Sequence, residues 1–211
     1  MIYNKSVLLF GHTGISLGLA WAAQSLWHWR KNRVGDSPIR EEEHHPAKGR
    51  LKSSARKLSR NPHLDYRLLV VGSMLPDIID KPIGIYLLGD VFSNGRIFAH
   101  TAIFTLSLLV AGAILWRRWG WILLTLGYGS FMHLLLDRMW ANPRTLLWPL
   151  QGWAFTKGDT TDWLRQILFT LTHTPEVFFS EAMGGVILLA FLVTLASHSR
   201  VRKWLITGEV G

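Results

Sequence analysis

Apolar residues along this chain gather into blocks instead of recurring singly. Five stand out: Val7 to Trp29, Leu68 to Leu88, Ile97 to Trp116, Trp121 to Trp140 and Val177 to Ser197. A soluble chain spreads its apolar residues at helical or strand spacing. A run of about 20 is long enough to cross a bilayer. Blocks one, three, four and five therefore predict transmembrane helices. Block two carries Pro76, Asp77, Asp80, Lys81 and Pro82. Lipid does not tolerate those residues, but a protein-walled cavity does. The second block thus predicts a span broken at Pro76–Asp77, or a re-entrant element. The expected fold is all-α, a multi-pass transmembrane helical bundle of about five spans. It forms a single membrane domain over residues 1–211, with the segment 31–65 inserted between the first two spans.

Charge changes this picture by giving it a direction. Eleven Lys and Arg residues fall between Arg30 and Arg67, and basic loops stay on the cytoplasmic side. Residues 31–65 are rich in Arg, Lys, Glu, Ser and Pro, which predicts a flexible or loosely helical cytoplasmic loop. Counting outward with block two as one crossing, the Asp90–Arg96 turn is external and the Arg117–Arg118 turn cytoplasmic. The loop from Ala141 to Glu176 is external. The tail with Arg200, Arg202 and Lys203 is cytoplasmic, and the N-terminus external. Both remaining basic clusters land inside, an independent check on the assignment. His44 and His45 lie among glutamates in the loop and read as solvated.

The formal net charge of +9 invites a nucleic-acid reading. Loops that fix membrane topology account for it, so no nucleic-acid partner is expected. Trp27, Trp29, Trp116, Trp119, Trp121, Trp140, Trp148 and Trp153 stand at or just beyond block ends, where an amphipathic ring sits at headgroup level. The absence of cysteine excludes disulfides and thiolate zinc sites. The first block follows no basic cluster and ends without a small-residue cleavage pattern, so it is expected to be retained in the membrane.

The candidate chemistry lies in the polar residues of the apolar blocks. These are His12, Asp77, Asp80, His100, His133 and Asp137. Each costs several kcal/mol in hydrocarbon unless it is paired, ligated or hydrated. His133 and Asp137 are four apart and share a helix face. An imidazole and a carboxylate so placed can bind one metal ion, with zinc, manganese and iron all accepting that mixture. A plain His–Asp hydrogen bond would look the same in sequence. The topology adds weight, because His12, His100, His133 and Asp137 fall within a few turns of one membrane face at about 1.5 Å per residue. Pro76 breaks block two beside Asp77 and lets that carboxylate turn inward.

The stretches GHTGISLGLA, GSMLPDIIDKP, FAHT and FMHLLLD resemble the YdjM-type family of bacterial inner-membrane proteins, described as LexA-regulated, predicted metal-dependent hydrolases. The resemblance covers blocks one to four and reaches LLWPL at Leu146–Leu150. The order His, Asp, His, then His-x3-Asp is also similar, distantly, to the ligand order of zinc-dependent phospholipase C and the P1-type nucleases. That similarity implies that Asp77, His100, His133 and Asp137 hold one metal, and that His12 holds a second with Asp137 bridging. The chain has no N-terminal tryptophan to offer its amine and lacks the later His and His-x3-Glu set. His173, Glu176 and Glu181 do not supply it, so the similarity implies one or two divalent ions, zinc favoured.

A divalent ion lowers the pKa of bound water and suits phosphate-ester cleavage. The expected function is a membrane-embedded metal-dependent hydrolase acting on a phosphate ester or phosphodiester of a lipid-like substrate, in contact with membrane lipids of the bacterial inner membrane. Asp137 and Asp80 are its expected catalytic carboxylates, Asp80 as general base or as partner to a histidine. Arg96 and Arg138 are candidates for holding phosphate oxygens, against a plain reading as interfacial snorkelling. Asn94, Lys81 and His173 are weaker candidates of the same kind. The alternative function is a transporter or ion channel with buried Asp and His as a proton or cation relay. A third reading is a membrane protein whose metal only stabilises it.

Overall fold

A computed structural model describes residues 8–35, 64–117, 119–157, 163–197 and 201–208. Residues 36–63, most of the basic loop with His44 and His45, lie outside the described residues, as do residues 1–7, Arg118 and Arg200. Every regular element among the described residues is helical: α1 (Leu9–Gly35), α2 (Tyr66–Lys81), α3 (Gly89–Phe92), α4 (Ala102–Ile114), α5 (Gly120–Leu136), α6 (Pro143–Leu146), α7 (Trp163–His173), α8 (Pro175–Ser197) and α9 (Val201–Thr207). Four of these, α3, α6, α7 and α9, lie where the sequence reading expected turn, loop or tail. The first helix also runs six residues past Trp29, into the start of the basic segment.

One helix, α8, is both long and apolar enough to cross a membrane; α4 and α5 are apolar but shorter. The first helix has the length, yet Arg30, Lys31 and Arg33 occupy its last turns. The arrangement is polar inside and apolar outside. His12, Ser16, Ser73, Asp80, His100, Ser130 and His133 are fully buried, while Phe179, Met183, Val186, Leu189 and Val193 of α8 are exposed. Buried polar groups with so many large apolar side chains exposed on α8 suit a lipid surround.

Helix α2 lies against α5 and α1, α1 against α8, and α4 against α5. Small residues set the closest of these approaches. A Cβ built on Gly129 of α5 would lie 2.6 Å from the backbone of Gly72 and Ser73. Gly14 of α1 and Gly184 of α8 meet backbone to backbone in the same way. Small residues at such crossings let helices touch through their main chains.

The break expected at Pro76–Asp77 does not occur there. Helix α2 continues through Pro76 to Lys81, and the irregularity follows at Pro82–Leu87, which winds as a π-helix. Pro76 removes only the bond to the Gly72 carbonyl, and the packing of α2 on α5 and α1 carries the helix across the gap. Asp65 caps the start of α2, accepting from the backbone N–H groups of Arg67 and Leu68 at 2.9 and 3.4 Å. Its end of the bundle holds an apolar cluster of Leu17, Ala20, Tyr66, Leu69, Phe191 and Leu195. The far end holds the candidate site.

Candidate metal centre

Chain direction alternates through the bundle, and that brings the six polar residues to one end. His12 is in the first turns of α1, Asp77 and Asp80 in the last turns of α2, and His100 just before α4. His133 is in the last turn of α5, and Asp137 caps it. Five of these side chains form one cluster: His12, Asp77, His100, His133 and Asp137.

The hydrogen bonds around the two central imidazoles fix which nitrogen carries hydrogen. His133 Nδ1 lies 2.7 Å from the Ser73 carbonyl oxygen, which can only accept. Nδ1 is therefore the donor, and Nε2 of the neutral ring holds a lone pair. The close Gly129–Gly72 approach makes this bond possible, because it presses the α2 main chain onto the His133 face of α5. His100 Nδ1 lies 2.8 Å from Asp80 Oδ2. The same carboxylate accepts from the backbone N–H groups of Ile97 (2.8 Å), Ala99 (2.9 Å) and His100 (3.0 Å). Asp80 thus acts as an acceptor, and the neutral His100 ring holds a lone pair on Nε2, whereas the imidazolium would donate from it. The two Nε2 atoms face each other at 3.2 Å. With both rings neutral, two lone pairs would face each other; a proton on one nitrogen, making an N–H···N bond, or a metal ion between them removes that repulsion.

Carboxylates complete the cradle. Asp77 Oδ1 is 3.5 Å from His100 Nε2 and 3.8 Å from His133 Nε2. Asp137 Oδ2 is 3.9 Å from each of the same two atoms. A tetrahedral ion with bonds of about 2.1 Å separates its ligand atoms by about 3.4 Å. The separations run from 3.2 to 3.9 Å, bracketing that spacing, with Asp137 the most distant. Each carboxylate also carries a cation on one oxygen. Lys81 Nζ is 2.6 Å from Asp77 Oδ2, and Arg96 reaches Asp137 Oδ2 through Nη2 at 2.7 Å and Nε at 2.9 Å.

His12 stacks on His133 with ring centroids 3.9 Å apart, and its Nε2 is 3.1 Å from Asp137 Oδ1. Neither His12 nitrogen nor Asp137 Oδ1 makes a hydrogen bond among the described residues, although all are buried. Buried polar atoms without partners are rare, and these three belong to a group of side chains that could hold an ion. Two triads can each hold an ion: His12, His133 and Asp137, and Asp77, His100 and His133. Both use His133, whose single free lone pair serves one ion at a time.

Asp80 was expected as general base or as partner to a histidine; it is fully buried behind His100, with N–H groups on its oxygens, which fits the second role. It orients the imidazole and leaves no open oxygen for a water. Arg138 was a candidate for a phosphate contact against a plain reading as interfacial snorkelling. It adopts left-handed backbone geometry (φ 52°) at the end of α5, and its side chain turns outward to Glu176 at 3.3 Å. Arg96 stays at the site, on Asp137. Asn94 supports the Arg96 turn, accepting from the Arg96 N–H at 2.9 Å. His173 is exposed and stacks on Phe169, away from the cluster's ligands.

One contributor escaped the sequence reading. Glu181 of α8 is buried and accepts from the backbone N–H groups of Leu8, Phe10 and Gly11 at 2.7, 2.9 and 2.9 Å. Its partners stand some 170 positions away in the chain, so no local spacing announces it.

The family described as YdjM inner membrane protein matches residues 46–205, well over half the chain. This chain belongs to the YdjM family. The matched region contains Asp77, Asp80, His100, His133, Asp137 and Glu181; His12 precedes it. Membership places the protein among inner membrane proteins. No curated protein and no solved structure matches the chain.

Proposed function

We propose that this YdjM protein is a membrane-embedded, metal-dependent hydrolase that cleaves a phosphate ester or phosphodiester of a lipid-like substrate. The observation that carries the proposal is the pair of buried Nε2 atoms 3.2 Å apart, flanked by Asp77 and Asp137. Asp77, His100, His133 and Asp137 would hold one divalent ion, with zinc favoured by the nitrogen and oxygen donors and the near-tetrahedral spacing. His12 joins through Asp137 Oδ1, as a further ligand or as holder of a second ion. Bound there, a divalent ion supplies Lewis acidity and a water of lowered pKa. Among the chain's own residues, Asp80 and the Ser73 carbonyl hold the imidazoles in register. Arg96 and Lys81 set positive charge beside the carboxylates, where a phosphate oxygen would approach.

The proposed setting is a bundle of about five spans with the site toward the external face. The ligands gather at one end of the alternating helices. Arg67, Arg117, Arg202 and Lys203 stand at the opposite ends of α2, α4 and α8, and basic residues favour the cytoplasmic side. The native chain has no cysteine, so single cysteines report cleanly. Trp153→Cys should react with an impermeant maleimide in intact cells, and Lys203→Cys only after permeabilisation.

Between the cluster and the opposite ends of α4 and α5, the buried polar groups are hydroxyls. Thr105 and Ser130 bond each other at 3.0 Å, and Thr125 donates to the Trp121 carbonyl. Those stretches of α4 and α5 carry no acidic or basic side chain, which weighs against a relay across the membrane. The test is phosphate release from a panel of lipid phosphates by purified protein in detergent, where no gradient exists. The reading expects activity that a chelator abolishes and added zinc or manganese restores. Silence across the panel from metal-loaded protein would overturn it.

A further inference from the structure

Glu181 sits where an acidic side chain is expensive. It belongs to α8, the helix long and apolar enough to span a bilayer, and it is 7% exposed. Its two oxygens are satisfied by main-chain donors from another helix. Oε1 accepts from Leu8 and Gly11, and Oε2 from Phe10. The first turn of a helix leaves such N–H groups without partners, and a carboxylate there also meets the positive end of the helix dipole. What makes this cap unusual is its address. Gly11 is the residue before His12, and His12 lies on the face of α1 turned to His133 and Asp137. Three residues on, Gly184 meets the α1 backbone at Gly11 and Gly14 so closely that no Cβ fits. Glu181 and Gly184 together fix the depth of α1 against α8. His12 itself stacks on His133 and meets Asp137 Oδ1 through Nε2 at 3.1 Å, contacts that hold only while α1 keeps its depth.

We infer that Glu181 is a positioning residue for the metal centre: it pins the first turn of α1 so that His12 Nε2 meets Asp137 at the ion. The inference rests on the metal-site reading and deepens it by adding a residue from α8, a helix that supplies no ligand. Groups that hold metal ligands in place typically matter about 10–100-fold in metal affinity.

The test is a double-mutant cycle read as zinc affinity, by chelator competition on full-length protein in detergent. Glu181→Gln and His12→Ala should each weaken zinc binding, by about tenfold for Glu181→Gln. In the His12→Ala background, Glu181→Gln should add less than a twofold further loss, because the ligand it positions is gone. Phe10→Pro removes one of the three donors from the α1 side, at a helix position that tolerates proline. It serves in place of Glu181→Gln should that variant fail to fold. Full additivity in the cycle, or wild-type affinity in Glu181→Gln or Phe10→Pro, would overturn the inference while leaving the metal site standing. Failure of the wild-type protein to bind zinc, manganese or iron would instead overturn the metal-site reading on which it rests.

Discussion

Replacing Asp80 with alanine strips one acceptor from four donors at once. The backbone N–H groups of Ile97, Ala99 and His100, and the His100 Nδ1–H, all point at its carboxylate. The residue is fully buried, so water does not readily replace it. A buried donor left without a partner costs about 1–3 kcal/mol. At the low end, allowing for relaxation of the turn, the four together cost about 4 kcal/mol. For a chain of this size each kcal/mol shifts the midpoint by about 2–4 °C, so the expected loss is about 8–16 °C. Thermal unfolding of metal-stripped protein in detergent measures this without interference from the ion. The same variant should lose zinc affinity by about 10–100-fold, since His100 loses the partner that sets its ring. Asp80→Asn keeps one acceptor oxygen and should fall between. An Asp80→Ala protein with an unchanged midpoint and full zinc affinity would refute the claim that this carboxylate organises the 97–100 turn.

Two further predictions reach other parts of the bundle. Gly129→Ala should cost about 1–3 kcal/mol by overpacking, because the new Cβ would meet the α2 backbone at 2.6 Å. It should also weaken metal binding by moving Ser73 away from His133; chelator competition and thermal unfolding check both. At the opposite end, burial pushes the Asp65 carboxyl upward, but hydrogen bonds and charge from Arg67 outweigh that and hold it below its ordinary value. A group depressed in the folded state adds stability that is fully present above its unfolded pKa and lost as pH falls through the folded one. Stability should therefore decline below about pH 5, and Asp65→Asn should flatten the part of that decline due to this residue.

Much of the site is legible in the chain, for definite reasons. The i, i+4 spacing of His133 and Asp137 places both on one helix face, and helices of alternating direction carry His12, Asp77 and His100 to the same end. Other features depend on contacts that no local pattern records. Pro76 reads as a break because the sequence does not reveal that α5 and α1 brace α2 across it. Asp80 reads as a catalytic group because its four donors come from a turn 17 to 20 residues later. Arg138 reads as a site residue beside Asp137, yet the left-handed turn at the end of α5 aims it outward. Glu181 reads only as a residue that does not complete the ligand set, since its partners lie at the other end of the chain. Helix α7 goes unseen because its 11 residues fall short of a span and sit in a polar surround.

Metal analysis of wild-type protein, purified in detergent without added chelator, tests the central claim most directly. The account predicts near-stoichiometric zinc, manganese or iron, lost in His133→Ala and Asp137→Ala proteins that remain folded. A folded wild-type protein that carries no ion, and takes none up on titration, would contradict it.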